Sequence, residues 1–508
     1  MVIRFISLFI LLFTISARAD FYKGFHKIGT GAITGEVETL GTSKAGLQQT
    51  VLTLLLKGPQ GENFTIELPE DEVFKVDPSK GNVMDYFPRK YYLGVKHQDS
   101  KRNHGGPVDL VMVIPGFGAS FKEGAGPYLT ELLNRNGYLT VTSHSPAHPD
   151  FIRDSSKHGA PGYQTRDAKD LYQQLQETVR VLKAPPYNYE INNVSVVGAS
   201  LGSMNAALMG KVDRLKMKKG EADAINLHRV FSINPPISNV YGTSAIDTMV
   251  AKTVGADKMD FFEQLGAYRA GIRLLLKDFF TNSFDEVAEK SVEAYNSMST
   301  LSTTARQYQF LVGFSFAPTV HDALVPMRDR WLDELVTTEF SDRGYMVVDF
   351  FTHYFKRFSV PLSYRGDGMK WPPSAKKKYS FVENKGGVDN DETKCDRSHP
   401  TRIVRNDCLA LIVTENESLG VVIPEMQKMY DMSYYHLVTW DDDFLLRTPV
   451  PGQEDSFLDH YSQDDVQWIR QTLPGGDKGS SIVFENGGGH LGGFYQEEFQ
   501  QYLLNNLK

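Results

Sequence analysis

An α/β fold built on a mostly parallel sheet is what this sequence predicts, and three observations predict it. Between Pro107 and Pro236, short continuously apolar runs alternate with amphipathic stretches. That is the rhythm of strands buried on both faces and joined by covering helices. The rhythm stops near residue 240, where helix-patterned and then loop-rich sequence takes over. It resumes at Cys408 and runs to a final helix. The expected division is a leader over 1–19, a β-rich segment joining the core over 20–106, and the first part of the core over 107–239. A helical insertion with a loop-rich end follows over 240–405, and the second part of the core over 406–508.

The elements follow in order. Phe5 to Ile15 is apolar, is preceded by Arg4 and is followed by Ala17-Arg18-Ala19. Eleven apolar residues are too few to span a bilayer, and the flanks are those of a cleaved secretory leader. The expected location is therefore outside the cytoplasm, in the periplasm or beyond the cell, with no membrane span after cleavage. "QTVLTLLLKG" (Gln49 to Gly58) and "NFTIELP" (Asn63 to Pro69) read as strands. "VDLVMVIPGF" is the first core strand, "GPYLTELLNRNG" a helix with Gly137 past its end, and "GYLTVTSHSP" the second strand. Ala168, Leu171, Leu175, Val179 and Leu182 recur every three or four residues and form one helical face. "NNVSVVGAS" is the third strand, "SMNAALMG" a small-residue helix and "HRVFSINPP" the fourth strand. "MDFFEQLGAYRAGIRLLLKDFF", "FDEVAEKSVEAYNSM" and "VPMRDRWLDELV" read as helices of the insertion. "CLALIVTENES" and "SSIVFENGGGHLGGF" return to the sheet pattern.

Charge excludes one class of partner. The chain has 54 basic and 62 acidic residues, and a removed leader would take Arg4 and Arg18 with it. A net-acidic surface does not suit sequence-independent nucleic-acid binding, which needs a basic footprint. Cys395 and Cys408 are the two cysteines. An oxidising compartment permits a bridge between them, and a free pair is equally compatible with the sequence.

The chemistry begins at "GASLG" (Gly198 to Gly202). The pentapeptide G-x-S-x-G alone is weak, since chance supplies roughly 0.25 copies in a chain this rich in glycine. Its context is the stronger signal, because an apolar strand leads into it and a small-residue helix leaves it. Such a turn strains the serine and lifts its Oγ above the sheet edge. It also aims the next amide, that of Leu201, from a helix N-terminus at the reacting centre. Ser200 is the candidate nucleophile. A serine needs a base, and His490 in "GGGHLGGF" directly follows the last apolar run. The base needs a carboxylate. Glu417 lies just past "LALIVT", with Glu415 the alternative and the Asp441-Asp442-Asp443 run after "HLVTW" a further competitor. The Phe117 amide in "PGFG" is the second candidate oxyanion donor. His144, His148 and Asp150 cluster in "SHSPAHPD" at a spacing that suits a metal. A polar loop lining a pocket is the commoner meaning of such a cluster, and neither a metal nor any other cofactor is expected.

With these motifs in place the chain resembles the α/β-hydrolase superfamily over about residues 107–240 and 405–508. "PGFG", "GASLG", an acid and "GGGH" occur in the superfamily's order, Ser, then acid, then His. The acid is Glu where Asp is commoner, and Pro115 stands where the oxyanion motif more often opens with His. The resemblance implies that the insertion caps the site. It also implies a carboxylic ester hydrolase of lipase or esterase type, acting on a small-molecule or lipid ester through an acyl-enzyme. A peptidase or amidase uses the same triad, and a non-catalytic binding protein keeping the fold is the reading from another class. Aromatics of the insertion (Phe261, Phe262, Phe279, Phe280, Phe310, Phe314, Phe316) suit an acyl chain or plain helix packing. Oligomeric state is not encoded legibly.

Overall fold

In a computed structural model of the 508-residue chain, the described residues are chiefly 106–122, 125–156, 161–236, 261–277, 286–304, 306–313, 433–439, 490–495 and 497–508. Strand segments at 26–27, 64–68, 91–96 and 481–485 and a few isolated positions complete the set.

Among the described residues, nine strands form one sheet: β1 His26–Lys27, β2 Phe64–Leu68, β3 Tyr91–Lys96, β4 Val108–Ile114, β5 Leu139–Thr142, β6 Ile191–Ala199, β7 Arg229–Ile233, β8 Ser433–Thr439 and β9 Ser481–Glu485. Their order across the sheet is β1-β9-β8-β7-β6-β4-β5-β3-β2. The six central strands, β4 to β9, are parallel. β1, β3 and β2 pair antiparallel toward the two edges. The central strands read as unbroken apolar runs because both faces are covered. Leu110 to Ile114 are all buried, as are Val194 to Ala199.

The connections explain where a site can form. β4 leads through α1 (Ala125–Arg135) to β5 on one side of it. The chain then crosses back through α3 (Gln164–Lys183) to β6 on the other side, and α4 (Leu201–Lys218) carries it on to β7. A short α2 (Pro149–Asp154) lies between β5 and α3. Right-handed crossovers in opposite directions put α1 on one face and α3 with α4 on the other. The chain therefore reverses direction between β4 and β6, and the carboxyl ends of those neighbouring strands flank a crevice.

Packing follows the sequence periodicity. Ala168, Leu171, Leu175 and Leu182 of α3 are fully buried, and Val179 packs at the margin. The insertion contributes α5 (Phe261–Leu275), α6 (Val287–Ser299) and a helical stretch over 306–313, and the chain closes on α7 (Glu497–Leu507). Phe310 is buried beside Ala267 and meets the Tyr268 ring edge-on at 5.3 Å, so it serves helix packing. Phe316 packs at the margin of the main core. No helix among the described residues is long and apolar enough to cross a membrane.

Two sequence readings need revision. The run from Gln49 is expected as a strand, yet Thr50 and Val51 are helical, as are Leu47 and Gln48. Leu47 and Val51 are buried four residues apart, the spacing of one helical face, and the rest of the run lies outside the described residues. The strand seated between β7 and β9 is Ser433–Thr439, whereas the sequence reading gave that place to "CLALIVTENES", which lies outside the described residues. "VPMRDRWLDELV", the loop-rich stretch from Arg365 to Pro400, and both cysteines also lie outside them.

Candidate active site

The turn from β6 into α4 carries the site. Ser200 is the N-cap of α4 and has φ 53° and ψ −124°. A non-glycine residue there is sterically strained, which persists only where the surroundings enforce it. Three contacts enforce it. The Ser200 amide donates to the Ile233 carbonyl at the end of β7 (2.9 Å), and the Ser203 amide donates back to the Ser200 carbonyl (2.9 Å). The Ser203 hydroxyl donates to that same carbonyl.

The flanking glycines are required by close approach. A Cβ on Gly198 would lie 2.2 Å from the Gly202 carbonyl oxygen. A Cβ on Gly202 would lie 2.3 Å from the oxygen of Ile114 and 2.4 Å from that of Pro115. The elbow therefore presses directly on the end of β4. Registry says the same, since Ile114 is paired with Gly198.

That pressure brings the "PGFG" turn to the serine. A Cβ on Gly116 would sit 3.1 Å from the Ser200 Cβ and 3.6 Å from its Oγ. The turn is closed by Ala119 N donating to Gly116 O at 3.2 Å. It is tied to the loop after β5 by two bonds. Gly118 N donates to Ser145 Oγ at 3.1 Å, and Ser145 N donates to Ala119 O at 2.9 Å. Leu201 is the first residue of α4, so its amide has no carbonyl one turn earlier in that helix. The two expected oxyanion donors, Phe117 and Leu201, thus belong to the two turns that meet at Ser200.

His490 comes from the far end of the chain. Its Nε2 lies 2.7 Å from Ser200 Oγ, across 290 residues of sequence. The ring is buried, with 7% exposure. Its backbone amide donates to Thr50 Oγ1 at 2.8 Å. Thr50 is thus a site residue that sequence reading passed over, because nothing in "QTVL" signals a hydroxyl aimed at a distant loop. Leu491, next in sequence, has φ 68°. That left-handed residue turns the chain sharply into the 3₁₀ turn Gly492–Tyr495.

The structure brings Ser200 and His490 together, and Phe117 and Leu201 lie in the two turns that meet at Ser200. Glu417 and Glu415 lie outside the described residues, as do Asp441, Asp442 and Asp443. The insertion also reaches the site. A Cβ on Gly118, which has φ 67°, would lie 1.9 Å from Thr319 Cγ2, so Thr319 packs directly on the oxyanion turn.

Behind the elbow lies a buried polar group. Ser232 Oγ donates to the Ser203 carbonyl at 2.9 Å. On β8, Tyr434 Oη and His436 Nδ1 are 3.2 Å apart and buried. Burial alone lowers the His436 pKa to about 3, and burial raises that of Tyr434 against the opposing hydrogen bond with Ser232. Beside the oxyanion turn, burial first and the nearby His148 second lower the His144 pKa to about 3.

No family model matches the chain, and no curated protein matches it. Among solved structures, an esterase from Pyrococcus furiosus aligns at 10% identity with a TM-score of 0.36, covering 88% of this chain and 90% of that one. A thermostable carboxyl esterase from Bacillus coagulans aligns at 11% identity and TM-score 0.36, covering 87% and 97%. A proline iminopeptidase from Mycobacterium smegmatis aligns at 12% identity and TM-score 0.35, covering 87% and 97%. A strained serine between β6 and α4, met by a histidine beyond β9 across a mostly parallel sheet, gives this chain an α/β-hydrolase-like fold on its own geometry.

Proposed function

We propose that the protein is an exported serine hydrolase that cleaves carboxylic esters through an acyl-enzyme. The observation that carries the reading is the 2.7 Å contact between Ser200 Oγ and His490 Nε2, made from a strained turn of the kind that clusters at active sites.

The reaction balances with these groups. Ser200 Oγ forms a bond to the acyl carbon as its proton passes to His490 Nε2. The carbonyl oxygen takes the electron pair and is met by the amides of Leu201 and Phe117. Collapse breaks the ester C–O bond, and His490 protonates the leaving alcohol. Water, deprotonated by the same ring, then releases the acid and restores Ser200. Residues 240–405 are assigned to a cap, supported by Thr319 against Gly118. Export rests on the leader-like first 19 residues.

The third member is a carboxylate that fixes the His490 tautomer. Glu417 was placed by its position after a strand read as penultimate. The penultimate strand of the sheet is β8, and Asp441-Asp442-Asp443 begin two residues after it ends at Thr439. That order favours the aspartate run, with Glu417 as the alternative.

The test is covalent labelling by a fluorophosphonate. Folded wild type should be labelled, and Ser200→Ala should abolish it. A folded wild type that takes no label sinks the mechanism, as does a label that survives Ser200→Ala. Turnover of acyl esters of rising chain length against peptide amides then fixes the bond. Amide cleavage without ester cleavage would make it a peptidase. Glu417→Gln set beside Asp441→Asn, Asp442→Asn and Asp443→Asn assigns the acid.

A further inference from the structure

We propose that the outward face of α5, with the turn that ends it, is a docking surface for an anionic lipid bilayer. The helix has three sides. Ala267, Ala270 and Leu274 are buried and form the side that packs on the rest of the protein. Tyr268, Ile272 and Leu276 recur every four residues and are exposed, Ile272 at 55% and Leu276 at 64%. Arg269, Arg273 and Lys277 each follow one of them by a single residue and are exposed too. A step of four residues advances only about 40° around a helix, so each triplet stays on one side. The Leu276 amide donates to the Ile272 carbonyl at 2.9 Å, so the helical turn holds to the end of the row. An apolar stripe thus runs beside a cationic one for about 12 Å.

The apolar stripe stands out from the rest of the surface. Four large hydrophobic side chains are exposed among the described residues, and Tyr268, Ile272 and Leu276 are three of them. Single exposed hydrophobics need no account, whereas a contiguous row does. Packing accounts for Tyr268, whose ring meets Phe310 edge-on. It does not account for Ile272 and Leu276, which face water.

Charge names the occupant. From Gln264 to Lys277 the sequence holds three cations and no acid, in a chain of 54 basic and 62 acidic residues. Among the described residues, no ion pair joins Arg269 or Arg273 to an acid. The neighbouring acids lie elsewhere. Glu263 faces Arg306 at 3.9 Å, and Glu293 of α6 accepts from Lys290 at 2.9 Å. Glu286 and Glu289 stand at the start of α6, whereas Lys277 meets its last turn, donating to Ser297 Oγ at 2.7 Å.

A helix with basic residues beside an apolar row is suited to lie in a membrane interface. Anionic headgroups meet Arg269, Arg273 and Lys277 while Ile272 and Leu276 enter the acyl boundary. The acidic remainder of the protein is repelled by the same surface, which turns α5 toward the lipid. A second copy fits poorly, because an isologous contact sets this face on itself and brings the two cationic rows together. The surface does not depend on the hydrolase reading.

The experiment is co-sedimentation of the full chain with vesicles in about 0.1 M salt. One set is phosphatidylcholine alone and the other an equal mixture with phosphatidylglycerol. Any contribution of residues 1–19 is common to wild type and variants. Wild type should favour the anionic vesicles by about 100-fold, at about fivefold for each of three cations. Arg269→Gln with Arg273→Gln should cut that preference about 25-fold. Ile272→Ser with Leu276→Ser should lower binding to the anionic vesicles on the order of tenfold or more, since two apolar side chains no longer leave water. Circular dichroism should match wild type in both, and either pair serves if the other fails to fold. Wild type binding both vesicles equally overturns the proposal, and so does a folded variant that binds like wild type. A wild-type dimer that Ile272→Ser with Leu276→Ser dissolves would give the face to a second copy and overturn it as well. Fluorophosphonate labelling of Ser200 without vesicles separates the two readings. Labelled protein that ignores the anionic vesicles fails this proposal alone, and unlabelled protein that binds them fails the hydrolase reading alone.

Discussion

Replacing Gly202 by alanine should slow the Ser200 reaction far more than it unfolds the protein. The new Cβ would stand 2.3 Å from the Ile114 oxygen, 2.4 Å from the Pro115 oxygen and 2.8 Å from the Ile114 carbonyl carbon. All three are backbone atoms, so no side chain can rotate away. Contact with a carbonyl oxygen needs about 3.2 Å or more, so the start of α4 and the end of β4 must part by close to 1 Å. Those segments carry the two proposed oxyanion amides, Leu201 on one and Phe117 just beyond the other. A 1 Å displacement in a reacting constellation costs on the order of 10²-fold in rate. Overpacking of this size costs about 1–3 kcal/mol of stability. The assay is the second-order rate of fluorophosphonate labelling on protein shown by melting to be folded. We expect a fall of about 10- to 100-fold. A folded Gly202→Ala labelling at the wild-type rate would refute the claim that the β4 and α4 turns jointly build the site.

Other perturbations separate stability from chemistry. Gly220 has φ 69° one residue past the cap of α4, with open space where a Cβ would go. Gly220→Ala should therefore cost about 1 kcal/mol in melting and leave labelling unchanged. Thr50→Val removes the acceptor of the buried His490 amide while keeping the side-chain shape. Labelling should fall about tenfold and recover in Thr50→Ser, and equal rates in all three proteins would dismiss Thr50 as a support of His490. His436 stays neutral when folded because burial lowers its pKa to about 3, whereas an unfolded histidine titrates near 6.5. Its contribution is complete above about pH 6.5 and is lost as pH falls toward about 3, at up to about 1.4 kcal/mol per pH unit. His436→Gln should flatten that acid limb in urea melts, and an unchanged slope would contradict the burial argument.

What was legible in the sequence follows from how far each signal reaches. Val108–Ile114 and the α3 face announce themselves because burial on one or both faces leaves a local period. Ser200 announces itself because strain at one residue forces glycine at its neighbours, and here Gly198 and Gly202 each touch backbone they could not touch with a side chain. Thr50 leaves no such trace. A hydroxyl that accepts one bond from a loop 440 residues away looks like any helical threonine. The expectation of a strand at Thr50 and Val51 fails for a related reason, since a short buried helix and a short buried strand share a composition.

The carboxylate shows the limit most clearly. Its expected place depends on which strand is penultimate in the sheet, a property of pairing and not of any single run. "CLALIVT" is the more continuous apolar run, and so the better strand by periodicity. "SYYHLVT" carries a histidine and two tyrosines, yet Tyr434, Tyr435 and His436 are all buried in β8. Tyr435 stacks on Phe231 of β7 at 4.4 Å, and Tyr434 and His436 lie 3.2 Å apart at their polar tips. Tertiary packing thus buries polar-tipped rings where hydropathy would not. The acid should then follow β8, and Asp441→Asn, Asp442→Asn and Asp443→Asn are the variants to make first. One of them should lower labelling at neutral pH by about 10³- to 10⁴-fold with the fold intact, as loss of a triad acid does. If all three label at the wild-type rate and Glu417→Gln does not, strand order has misled where local sequence did not.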